Sequence, residues 1–207
     1  MIETATAKNG SLIYLKDGKY LASSFDPQKE AEAWWKTCSQ RAKYARTVFV
    51  LGLGAGYHIQ VLKRELAQTK IVVIEPDQEL VTIYQSTNSE ELEILCEQDW
   101  RRLFNYSPVS SGVQSTYAVL LHPPSYGVET EYFGNAYKFL LGRSMDGLFA
   151  LLKNRPDLLA ELDEAKLADL ARSPDPVSIR TITKAMKAKA YADQDRRIWK
   201  VLEELLA

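Results

Sequence analysis

The stretch TVFVLGLGAGYHIQVL, residues 47–62, constrains the fold more than any other part of the chain. A near-continuous apolar run ends in three alternating glycines and passes directly into a helical pattern. Unbroken apolar residues suit a parallel strand buried on both faces. Glycines at its end let other groups approach the backbone closely. The helix that follows offers unpaired N–H groups and the positive end of its dipole. KIVVIEP, residues 70–76, is a second buried strand stopped by Pro76. The helix between them runs from about Tyr57 to Ala67, so the pattern is β–α–β.

The pattern continues downstream. DQELVTIYQST reads as a helix with Asp77 near its start, LEILCEQDW as a weaker third strand, and DWRRLFN as a short helix. STYAVLLHPPSY is a fourth strand ended by Pro123 and Pro124. Strands alternating with helices predict an α/β fold, a Rossmann-like, methyltransferase-like, doubly wound and mainly parallel sheet. Ahead of it, Leu12–Leu15 and Tyr20–Ala22 flank Asp17-Gly18 as an N-terminal β-hairpin. Asp26 then caps a helix with Pro27 at its first position, and Ala31, Trp34, Trp35 and Cys38 follow at helical spacing. Both tryptophans read as core or hairpin-packing residues. After Tyr126 no strand is predicted. A helical stretch carries Gly134, Gly142 and Gly147 as sites of kinking or close packing. An acidic amphipathic helix begins at Pro156, and a Ser-Pro-Asp-Pro break separates it from a basic helical end. The expected organisation is 1–45 for hairpin and helix, 46–155 for the Rossmann-like core, and 156–207 for a helical C-terminal extension, all within one compact domain.

The bulk properties bound the function. A chain of 207 residues can bury one good core. Its net charge of −1 makes nucleic acid an unlikely partner. No apolar run approaches the ~20 residues that span a bilayer, and the N-terminus lacks the pattern of a secretory signal. Cys38 and Cys96 form no Cys-x-x-Cys pair, which points to a reducing cytoplasm. With only His58 and His122 beside them, no metal site is expected. The basic C-terminal helices are a candidate protein-contact surface, or they are solvated or packed beside the acidic helix.

The chemistry centres on Gly52, Gly54 and Gly56. A dinucleotide fingerprint, Gly-x-Gly-x-x-Gly, would place glycine at position 57, where this chain has Tyr57. Gly-x-Gly-x-Gly is instead the spacing of an S-adenosylmethionine-binding loop, so that cofactor is the first ligand candidate. Glu75 ends the second strand, about 20 residues on, where an acid meets ribose hydroxyls in nucleotide-binding βαβ units. Asp99 follows the third strand, where methyltransferases resembling spermidine synthase place an acid on the adenine amino group. Helix capping is the alternative role for both acids. Tyr57 and His58 open the loop helix, and His58 faces either the cavity or the helix start. LHPPSY ends the fourth strand opposite the glycines. It is similar in position to the Asn/Asp-Pro-Pro-Tyr motif of amino-group methyltransferases, with His122 in the first place. His122 and Tyr126 are the only candidates for catalysis, the alternative being a strand-ending turn with a partly buried histidine. No Ser-His-Asp, Cys-His or paired-carboxylate arrangement is readable.

Three stretches together, IYLKDGKYLASSFDPQKEAEAW, VFVLGLGAGYHIQVLKREL and KIVVIEPDQEL, resemble the N-terminal domain of the motility accessory factor (Maf) glycosyltransferases and their archaeal 6-hydroxymethylpterin diphosphokinase-like relatives. The resemblance covers roughly residues 7–80 and extends less closely to 125. It implies the Rossmann-like fold, a ligand crevice, and a bacterial flagellar or surface glycosylation setting. In that family the transfer chemistry belongs to a following domain with a Gly-Pro-Ser-Leu type motif. This chain contains no such motif, so no catalytic residue carries over.

Two functional readings follow. One is a cytoplasmic module that binds a nucleotide-type ligand or a protein partner without catalytic machinery of its own, accessory to glycosylation. The other is an S-adenosylmethionine-dependent methyltransferase. A sugar-nucleotide transferase is a third, weaker fit.

Overall fold

The computed structural model describes residues 1–88 and 91–156. Its centre is a parallel sheet of β4 (Thr47–Leu51), β5 (Lys70–Glu75), β6 (Glu93–Cys96) and β7 (Tyr117–Leu121), in the order β6-β5-β4-β7. Strand β4 has partners on both sides, with Val48 level with Ile71 in β5 and with Ala118 in β7. Every residue of β4 is buried, as its unbroken apolar run requires.

Alternation along the strands divides the interior in two. Val48 and Val50 face one core, with Ile13, Tyr14, Ile59, Leu62, Val73 and Leu80. Phe49 and Leu51 face the other, with Ile74, Leu103, Phe104, Phe133 and Phe139. The first core is covered by α1 (Pro27–Ala42), α2 (Tyr57–Glu65) and α3 (Gln78–Thr87). The second is covered by a 3-10 turn (Trp100–Asn105), α4 (Ser107–Gly112) and α6 (Thr130–Leu140). A short α5 (Pro123–Val128) leads from β7 into α6, and α7 (Met145–Lys153) packs on α6. The sheet is therefore Rossmann-like and wound on both faces.

Local chemistry sets the helix starts. The Asp26 side chain accepts the Lys29 N–H at 3.1 Å ahead of Pro27, so α1 begins where the sequence expects. Asp77 caps α3 in the same way, accepting from Glu79 and Leu80.

The N-terminal region contains the expected hairpin and adds a strand to it. β2 (Leu12–Lys16) and β3 (Lys19–Tyr20) pair about Asp17-Gly18, and β1 (Ile2–Thr6) completes a three-stranded antiparallel sheet. Strand β1 pairs with β2, Ile2 opposite Lys16. Its sequence, IETAT, is too short and too polar to read as a strand alone. Asp17 and Gly18 both have positive φ, 51° and 75°, as a tight hairpin turn demands. Beyond β3, the Leu21 N–H still donates to the Tyr14 carbonyl at 2.8 Å, and Leu21 and Ala22 are buried in the core. The helical stretch after Tyr126 also divides. Gly142, at φ 65°, ends the run after α6, and a Cβ on Gly147 would stand 2.4 Å from the Phe139 carbonyl oxygen, so α7 can pack closely there. The acidic and basic C-terminal helices expected from the sequence lie outside the described residues. Among the described residues no helix is long and apolar enough to cross a membrane.

Candidate functional site

Residues Gly52–Gly56 connect β4 to α2 at the carboxyl end of the parallel sheet, and all five are buried. The three glycines adopt positive φ of 104°, 51° and 86°. The space a side chain would take is filled by the protein itself. A Cβ on Gly52 would lie 2.3 Å from Ser125 Cβ. On Gly54 it would lie 2.5 Å from His122 Cε1 and 2.9 Å from the Leu21 carbonyl oxygen, and on Gly56 2.4 Å from the Tyr84 ring. These glycines are needed for internal packing.

The N-terminal sheet stands over this end of the parallel sheet and is fastened there at several points. Tyr57 Oη donates to the Leu12 carbonyl at 2.8 Å, and Tyr14 Oη pairs with Thr87 Oγ1 at 2.7 Å. Lys16 Nζ lies 2.6 Å from carboxylate oxygens of both Asp77 and Glu129, and Lys19 Nζ donates to the Gly127 carbonyl. The crevice where open α/β sheets hold their ligands is thus roofed by the chain's first 22 residues.

Glu75 lies directly beneath. It is 2% exposed. One carboxylate oxygen accepts the Leu53 N–H at 2.9 Å and the other accepts the Asp77 N–H at 3.2 Å. Burial pushes its carboxyl up to about 7, against the pull of those two N–H groups and of Lys16. The acid ties the glycine loop to the start of α3. Asp99 is half-buried and accepts the Arg101 N–H at the head of the 3-10 turn, in the capping geometry. Glu97 was not singled out in the sequence, yet it is the more buried acid of that segment. It accepts Tyr106 Oη at 2.5 Å and the Asp99 N–H at 2.9 Å. Glu97 directly follows Cys96 at the end of a weak strand pattern, and that position alone does not announce burial.

The structure does bring His58 and His122 together. Their rings stack with centroids 3.7 Å apart and planes 6° from parallel. Trp34, from α1, meets both edge-on, at 5.4 Å and 6.4 Å, and its Nε1 donates to the Leu121 carbonyl at 3.1 Å. His58 Nε2 lies 3.0 Å from the Gly52 carbonyl oxygen, which only accepts, so Nε2 carries the proton. His122 Nδ1 pairs with Ser125 Oγ at 2.8 Å. Burial lowers His58 to about 4, while the Gly52 carbonyl works the other way. Burial, and then His58, hold His122 well below the ordinary histidine value. Both imidazoles are therefore neutral near pH 7. Tyr126 is not part of this group. Its side chain packs with the core of the other face, near Gly134. Trp34 carried no local signal of this role, because its partners come from sequence-distant elements.

A cavity of about 60 Å³ opens beside the two histidines, between α1, the glycine loop and the start of α5. Ligand pockets for molecules of cofactor size are about 300–1,000 Å³. In this arrangement the loop does not fit S-adenosylmethionine or a nucleotide. The carboxylate meant for ribose is enclosed, the glycines are packed by side chains, and the cavity beside the histidines is several times too small. Among the described residues no three His, Cys, Asp or Glu side chains gather to hold a metal.

The region between β3 and the head of the 3-10 turn holds both the glycine loop and Glu75, and it is this region that known proteins share. Residues 18–99 match the family model of the glycosyltransferase Maf N-terminal domain. The match supports the Maf family for that part of the chain. It includes Gly52, Gly54, Gly56, His58, Glu75 and Asp99, and it leaves out β1, β2, β7 and His122. Searches of curated proteins and of solved structures returned no match.

Proposed function

We propose that this chain is a non-catalytic, Rossmann-like accessory module of a cytoplasmic glycosylation system, acting through a protein partner. The observation that carries the reading is the state of Glu75 and its loop. The acid that would hold a ribose instead accepts two backbone N–H groups, and the N-terminal sheet is fastened above it by Lys16 and Tyr57. The match to the Maf N-terminal domain supplies the glycosylation setting. The stacked histidines are both neutral through burial, and each makes a hydrogen bond inside the fold, His58 to the Gly52 carbonyl and His122 to the Ser125 hydroxyl, which favours binding over chemistry.

Isothermal titration with S-adenosylmethionine, S-adenosylhomocysteine, CMP, GDP and NAD tests this. The expected result is no binding at about 0.1 mM for any of the five. Micromolar binding of S-adenosylhomocysteine, lost in Glu75→Ala, would overturn the reading in favour of a methyltransferase. A CMP-specific signal would favour a sugar-nucleotide transferase.

A further inference from the structure

The cavity beside the histidines is walled by Ala22, Ala31, Trp34, Ala55, His58 and His122, with Glu30 and the two prolines of α5 also lining it. Three alanines make the space, and two imidazoles make it polar. Since His58 Nε2 holds the proton, Nδ1 of the neutral ring is an acceptor, and it has no partner among the described residues. The residue is 2% exposed. A buried acceptor left unpaired is costly, so a donor supplied from outside the fold is favoured there.

The surroundings select the donor. No Lys or Arg lines the cavity, so an anion has no counter-charge. Its one carboxylate, Glu30, already accepts the Ser23 N–H at 2.7 Å. The same desolvation that keeps the imidazoles neutral opposes a cation. Parallel rings cannot aim two lone pairs at one metal ion. We propose that this cavity is a binding site for a small uncharged molecule, an alcohol or primary amide, whose O–H or N–H donates to His58 Nδ1 while its apolar part rests among Ala22, Ala31 and Trp34. The site is separate from the Glu75 corner, and it stands or falls independently of the accessory role proposed above.

Long-range nitrogen–proton spectra of the full chain, labelled at histidine, report each ring nitrogen. The probes are ethanol, acetamide, ethylammonium and acetate at pH 7.5. Ethanol and acetamide should shift the His58 Nδ1 resonance saturably, with half-saturation on the order of 1 mM or weaker for molecules of three or four heavy atoms. Ethylammonium and acetate should leave it in place. Ala31→Leu, which fills the cavity and leaves both imidazoles intact, should abolish the ethanol shift. Ala22→Val repeats the test from the hairpin side should Ala31→Leu fail to fold. A non-saturating shift, a shift unchanged in the filled variants, or an equal response to ethylammonium would overturn the proposal.

Discussion

The Leu53 N–H donates to the Glu75 carboxylate at 2.9 Å, joining the glycine loop to the end of the neighbouring strand across a wholly buried contact. The same carboxylate receives the Asp77 N–H, so one side chain holds two backbone turns. Glu75→Gln keeps the size but turns an amino group toward one of those donors. It should lower stability by about 1–3 kcal/mol in urea unfolding, the cost of a buried donor left unpaired. An unchanged midpoint would show that the carboxylate does not hold the loop.

Two glycines separate packing from backbone freedom. Gly54, at φ 51°, has the His122 ring and the Leu21 carbonyl where a methyl would go. Gly10, at φ 87°, has nothing within 4 Å. Gly10→Ala should cost about 1 kcal/mol, the strain of the left-handed region alone. Gly54→Ala should cost about 3 kcal/mol or more, because a backbone carbonyl cannot swing aside. Equal losses by thermal unfolding would contradict the roofed loop.

The two neutral histidines make the fold acid-sensitive. His58 is depressed from 6.5 to about 4, so below pH 6.5 the unfolded chain binds a proton that the native chain refuses. Stability should fall as pH drops from 6.5 toward 4, by on the order of 3 kcal/mol from this group. Glu75 works oppositely. Its folded value is raised from 4.5 to about 7, so its contribution is present below 4.5 and is lost as pH rises to 7. The acid-side fall should therefore be steeper in Glu75→Gln than in the wild type. Urea midpoints across pH 4–7.5 decide, and a flat profile in both would exclude the linkage.

Lys16 bridges Asp77 and Glu129 with its own side chain 12% exposed. Burial alone would lower its ammonium, but the two carboxylates outweigh that and raise it. Lys16→Met should cost about 2 kcal/mol, between the values for exposed and buried ion pairs. Hydrogen exchange should quicken in β1–β3 and stay slow in β4 and β5. Uniform quickening would mean that the N-terminal sheet does not open as a unit.

The parallel sheet was legible because its signals are local. Apolar runs at 47–53 and 70–75 and the acids at 26 and 77 each act on their immediate neighbours. The site was legible only in outline. Gly52, Gly54, Gly56, His58, Glu75 and His122 do converge, but the sequence pairs them with a ligand where the structure pairs them with one another. Nothing in Leu12, Lys16 or Leu21 states that they come to rest on Tyr57, Asp77 and Gly54. That contact joins segments with no shared periodicity, and it depends on β1, whose polar sequence hides its pairing. Trp34 was read correctly as a packing residue and incompletely as the wall of a cavity.

The roof over the glycine loop also bears on where this protein can be cut. The family match ends at residue 99, yet the walls of Gly52 and Gly54 come from His122 and Ser125, and Lys16 lies before residue 18. The inherited unit and the cooperative unit therefore have different boundaries. A fragment of 18–99 would carry the recognisable motif without the residues that hold it in shape, and it should remain unfolded.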